Sequence, residues 1–126
     1  MFILAEFCPG GDLERIVRKS PLPENIAKTY ICEAALAIHE LHKEGMLYRD
    51  MKTANALLDS EGHLRLADFG LAKRATKSGS FLGSMNYLAP EMLVKEDYKA
   101  HSQALDWYQL GIFAYELLHS LPPFYC

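Results

Sequence analysis

Tyr48-Arg49-Asp50-Met51-Lys52-Thr53-Ala54-Asn55, followed by Asp68-Phe69-Gly70, is the stretch on which the reading of this chain turns. Between the two lie Ala56-Leu57-Leu58, a polar turn Asp59-Ser60-Glu61-Gly62, and His63-Leu64-Arg65-Leu66-Ala67. Two short apolar runs around a turn rich in Asp and Gly read as a β-hairpin. A hairpin brings its outer ends together, so Asp50, Lys52 and Asn55 are expected near Asp68. Two carboxylates, an ammonium and a carboxamide make a hard-oxygen site for Mg²⁺ together with a phosphate clamp. Mg²⁺ takes a few protein oxygens and leaves its other positions to water and phosphate, a role open to Asn55 and Asp68. Lys52 can neutralise charge on a moving phosphoryl group. Asp50 is left to accept a proton from an incoming hydroxyl. The plainer alternative for either Asp alone is a turn former at a loop end.

The wider chain sets bounds. It has 126 residues, half of them hydrophobic and 23% charged, which fits one globular unit. The net charge of −3 gives no footprint for nucleic acid or an anionic membrane. Three widely spaced cysteines, Cys8, Cys32 and Cys126, show neither zinc spacing nor a disulfide framework, which suits a reducing compartment. There is no transmembrane run, and the apolar start meets Glu6 without the basic flank of a signal peptide. A cytoplasmic location is the expectation, with a nuclear pool left open.

Local patterns place the elements. Phe2-Ile3-Leu4-Ala5 reads as a short strand broken by Cys8-Pro9-Gly10-Gly11, and Asp12 as a cap for a helix over 13–19. Ser20-Pro21-Leu22-Pro23 is a breaker. After it, Ile26, Tyr30, Ala34, Ile38 and Leu41 recur at helical spacing, which predicts a helix from Glu24 to Lys43 ended by Gly45. His39 and His42 near its end read as packing or capping residues. A second helix is predicted over 106–118, apolar almost all round and therefore buried on every side.

The quoted segments resemble the catalytic and metal-binding loops of eukaryotic protein kinases, H-R-D-L-x-x-x-N and D-F-G, and Ala89-Pro90-Glu91 matches A-P-E in the right order. Tyr48 in place of His, with Lys52 after Asp50, resembles the AGC group of serine/threonine kinases. The resemblance implies an α+β fold: the mainly α-helical large lobe of the kinase fold with short β-hairpins, the small lobe missing. Residues 1–12 would be the hinge region and 13–126 a large-lobe segment without its C-terminal helices.

By the same resemblance, Asp50 is the base, Lys52 the charge stabiliser, and Asn55 and Asp68 the Mg²⁺ ligands. The backbone around Glu6 and Cys8 would meet the adenine edge of ATP, with Asp12 on the ribose or a basic substrate side chain and Leu57 beneath the ring. Ala5 falls where the family usually has a larger residue, which opens a deeper pocket. Arg49 would receive an activation-loop phosphate. Ser80 is the expected phosphoacceptor for an upstream activating kinase, with Thr76 and Ser78 as competitors. Ser84 would bridge Asp50 and Lys52, and Asp106 would bond the catalytic-loop backbone. Glu91 would pair with a distal Arg that these 126 residues do not contain. Ala54 stands where basophilic AGC kinases carry an acid that holds a substrate arginine, which counts against that preference.

The Gly-rich loop, the phosphate-pairing Lys and its Glu partner do not occur in these residues either. The expected function is therefore a segment of a kinase that moves the ATP γ-phosphoryl group to protein Ser or Thr hydroxyls. As an isolated chain it should be incompetent, with exposed apolar surface around 110–118. The rival reading is a truncated or pseudokinase binding module without catalysis.

Overall fold

The computed structural model describes residues 2, 4–74, 85–92 and 102–125. The chain opens with a two-residue strand β1 (Gly11–Asp12) that runs into a short helix α1 (Leu13–Val17). Asp12 caps that helix by accepting from Arg15 N at 2.8 Å. Gly10 is required beside it. A Cβ there would lie 2.5 Å from Leu58 Cβ and 2.8 Å from Leu58 O, where Gly10 N now donates.

Helix α2 (Glu24–Lys43) has the predicted bounds. It ends with Gly45 at φ +71°, a left-handed position that glycine takes without a Cβ penalty. Its buried line is Ala27, Ala34, Ile38 and His42, with Tyr30, Ile31 and Leu41 packed partly against the core. Ile26 is exposed, so the inward face is rotated by one residue at the start of the helix.

The hairpin is β3 (Ala56–Leu58) paired antiparallel with β4 (Leu64–Leu66), Ala56 opposite Leu66 and Leu58 opposite Leu64. Asp59 holds the turn, since its Oδ1 accepts from Glu61 N and His63 N, both at 2.9 Å. β1 pairs on the other edge of β3. A second pair joins β2 (Met46–Leu47) to β5 (Lys73–Arg74), which ties the chain just before Tyr48 to the chain just after Asp68-Phe69-Gly70.

Helix α3 (Gln103–His119) begins three residues earlier than predicted, because Ser102 caps it through Ala104 N. It is not buried on every side. Trp107, Gly111 and Tyr115 form an exposed stripe, while Leu110, Ile112, Phe113 and Leu117 are buried. The apolar surface expected at 110–118 is thus mostly core, and the large apolar groups exposed on and just after the helix are Trp107, Tyr115, Leu121, Phe124 and Tyr125.

Residues 2 and 4–8 form no strand, against expectation. A strand needs a ladder partner, and none of the described residues pairs with this segment. Phe2, Leu4 and Phe7 are exposed in consequence. No helix among the described residues is long and apolar enough to cross a membrane.

Candidate active site

The site is built on α3. Asp106 is fully buried, and its two carboxylate oxygens accept from the backbone of the loop: Oδ1 from Arg49 N at 2.7 Å and Oδ2 from Tyr48 N at 2.9 Å. His42 Nε2 reaches Oδ2 at 2.7 Å. One helical turn on, Gln109 Oε1 accepts from Met51 N and Gln109 Nε2 donates to Arg49 O, both at 3.2 Å. Further along the helix, Tyr87 donates its hydroxyl proton to Glu116, and Thr53 N lies 3.4 Å from the same Tyr87 oxygen. One side of the helix therefore carries polar residues, each aimed at a successive piece of residues 48–53.

This clamp has a physical purpose. Arg49 sits at φ +67°, a left-handed conformation that costs a non-glycine residue about 1–3 kcal/mol and persists only where its surroundings over-determine it. Bonds from Asp106 and Gln109 to both sides of Arg49 do so. The turn they hold points Asp50 at its neighbours.

Asp50 is buried and accepts from Lys52 Nζ at 2.9 Å and from Asn55 Nδ2 at 2.8 Å. Asn55 Nδ2 also donates to Asp50 O at 2.9 Å. The carboxylate of Asp50, the ammonium of Lys52 and the carboxamide of Asn55 are thus one hydrogen-bonded set. The hairpin brings its ends together, since Ala67 N donates to Asn55 O at 2.9 Å, which places Asp68 beside that set. Asp68 is exposed, adopts φ 55°, and accepts from Gly70 N at 3.1 Å. Tyr48 connects the two loops: its hydroxyl donates to Ala67 O and its ring meets Phe69 edge-on at 5.4 Å. Burial, with the charges of Asp50 and Asp68, pushes the Tyr48 hydroxyl well above its ordinary pKa, so it stays a donor.

Asp68 opens onto a cleft of about 690 Å³. Ala5, Glu6 and Cys8 line it, with Leu57, Arg65 and Leu66 of the hairpin, and Ala67, Phe69 and Gly70 flank Asp68. Glu6, Cys8 and Leu57 are therefore brought together with Asp68. Asp12 is not among the lining residues and serves as the α1 cap. Arg49 Nε donates to Leu71 O at 2.7 Å, which sets the guanidinium at the start of the segment after Asp68. Glu91 is exposed in a short turn (Pro90–Met92) above a small cluster of Leu88, Ala89, Met92 and Leu105. Ser80 and Ser84, with Thr76 and Ser78, lie outside the described residues.

Sequence reasoning did not single out Gln109 or Glu116, and it gave His42 only a packing or capping role. Each had a signal: a polar residue interrupting an apolar helical stripe. Burial pushes the Glu116 carboxyl up to about 7. An unfolded glutamate ionises near 4.5, so between those values the native state holds a proton that the unfolded state has lost. Stability therefore falls as pH rises from about 4.5 to about 7. Glu116→Gln keeps an acceptor for Tyr87 and removes this dependence. Thermal unfolding of the two proteins across that range should show the variant gaining on the wild type; parallel curves would contradict it.

The fold and site together define a class, in which a helix-anchored loop presents an aspartate, a lysine and an asparagine beside a second aspartate at a cleft. A family model for the protein kinase domain matches residues 1–126, and the chain belongs to that family. Its relatives agree. It is 43% identical, over 98% of its length, to an atypical protein kinase C of Drosophila melanogaster, and covers 21% of that protein. It is 42% identical, over 99% of its length, to a cAMP-dependent protein kinase catalytic subunit of Schizosaccharomyces pombe, covering 24% of it. A ribosomal protein S6 kinase beta of Caenorhabditis elegans is 37% identical over 98% of the chain, with 23% of the relative covered. These are AGC kinases, in keeping with Tyr48-Arg49-Asp50. The chain spans about a fifth to a quarter of the length of the curated relatives it matches.

Proposed function

We propose that this chain is the large-lobe catalytic segment of a serine/threonine protein kinase that uses Mg²⁺ and ATP. The observation that carries the reading is the set at Asp50: a buried carboxylate bonded to Lys52 and Asn55, on a loop fixed by Asp106 and Gln109. Asp50 accepts the proton of the substrate Ser or Thr hydroxyl as its oxygen bonds to the γ-phosphorus. The bond from that phosphorus to the β–γ bridging oxygen breaks, and ADP leaves with the electron pair. Lys52 offsets the negative charge on the moving group.

The donor set suits Mg²⁺. Asn55 spends its Nδ2 on Asp50, which turns its carbonyl oxygen to other use, and Asp68 offers a carboxylate exposed to the cleft. When bound, the ion neutralises phosphate charge. Replacing Asp68 with Ala in the full-length protein should abolish Mg²⁺-dependent ATP turnover; near-normal turnover would sink the assignment.

The isolated 126 residues are expected to be incompetent, because a general base contributes its roughly 10²–10⁴-fold only to reactants already held in place. Of the described residues before the hairpin, Ala5, Glu6 and Cys8 line the cleft. Regulation by phosphorylation at Ser80, with Arg49 as its receptor and Ser84 as a bridge to Asp50, belongs to the same proposal. The hydrogen bond from Arg49 to Leu71 supports it by placing a guanidinium at the root of that segment.

A further inference from the structure

Arg65 is the one cation among the described residues that line the cleft. It stands on β4 directly opposite Leu57, so the two side chains share a face of the hairpin. One edge of its guanidinium is fixed. Nε and a terminal nitrogen both meet Asp59 Oδ2 at 2.9 Å. Asp59 is itself buried and held by the backbone N–H groups of Glu61 and His63. Among the described residues no other group hydrogen-bonds the guanidinium, whose planar fork has further N–H donors to offer.

Residues 5–8 need such a partner. In the reading proposed above, on which this inference rests, the backbone around Glu6 and Cys8 meets the adenine edge, and groups held still before binding bind more tightly. Residues 4–8 form no strand. The backbone bonds that hold this segment among the described residues lie at its far end, from Gly11 N to Cys8 O at 3.2 Å and from Gly10 N to Leu58 O at 3.0 Å. Glu6 is exposed and lines the same cleft as Arg65. Asp59 first, by hydrogen bond and charge, and then the charge of Glu6 raise the Arg65 pKa above its ordinary value. We infer that Arg65 is a positioning residue for the nucleotide: braced by Asp59, its charge holds Glu6, and with it residues 5–8, against the hairpin. It acts through that segment and not on the reacting atoms.

The test is a double-mutant cycle on the full-length protein, read as kcat and KM for ATP in the presence of Mg²⁺. Arg65→Gln is expected to raise KM for ATP about two- to fivefold, the scale of a solvent-exposed ion pair, with kcat within about twofold of wild type. Glu6→Gln should do the same. The double variant should be no worse than either single one, because each removes the same pair. Arg65→Lys keeps the charge and should recover part of the loss. Should Arg65→Gln fail to fold because Asp59 loses its partner, Glu6→Gln decides alone: a two- to fivefold rise in KM supports the inference, and an unchanged KM overturns it. Additive effects in the double variant overturn it, since Arg65 would then act on the nucleotide without Glu6. A fall in kcat with KM unchanged overturns it too. Each of these contrary results leaves the kinase reading standing, whereas a folded wild-type protein that turns over no ATP brings down both.

Discussion

Asp106→Ala is expected to cost about 3 kcal/mol or more of stability and to disorder the catalytic loop. Its carboxylate accepts from two buried backbone donors, Tyr48 N and Arg49 N, and from His42. Each donor left unsatisfied in the interior costs about 1–3 kcal/mol. The same change removes one of the constraints that hold Arg49 at positive φ, so the strain there would relax by moving the loop. Against a typical net stability of about 5–15 kcal/mol, the loss is large. Urea unfolding of the full-length protein measures it. Asp106→Asn refines the test: one oxygen still accepts, but the amide nitrogen faces a donor and the negative charge beside His42 is gone. An Ala variant within about 0.5 kcal/mol of wild type would show that α3 does not anchor the loop.

Asp50→Asn is expected to lower kcat by roughly 10²–10⁴-fold in the full-length protein while sparing the fold. Asn keeps the size of Asp and an oxygen that can accept from Lys52 or Asn55, so the hydrogen-bonded set survives in outline. What is lost is basicity. Removing a group that acts only in the transition state lowers kcat and kcat/KM alike, with the KM for ATP nearly unchanged. A variant that loses ATP affinity and keeps its turnover would recast Asp50 as a binding residue.

The sequence made the hairpin, α2 and the Asp50–Asn55 loop readable because each is marked locally. The turn at Asp59 to Gly62, the prolines at 21 and 23, and Gly45 fix where chain direction changes. It also made Asn55 and Asp68 neighbours, since hairpin closure needs no distant information. What it hid was long-range. The β2–β5 pair joins two-residue strands, too short for a period to show. His42 meets a partner 64 residues away. Helix α3 inverts the usual logic: Asp106, Gln109 and Glu116 are buried, and Trp107 and Tyr115 face out. Hydropathy ranks those residues the other way, because it does not know that a loop rich in backbone donors lies against the polar side. Phe2 and Leu4 show the converse failure, since a strand pattern without a ladder partner among the described residues leaves their side chains in water.

Phosphoamino-acid analysis of a protein substrate, after incubation with the full-length protein, Mg²⁺ and γ-labelled ATP, decides whether this is a serine/threonine kinase. The expected result is label on serine and threonine, dependent on Mg²⁺. Label confined to tyrosine, or no Mg²⁺-dependent transfer from a folded protein, would contradict it.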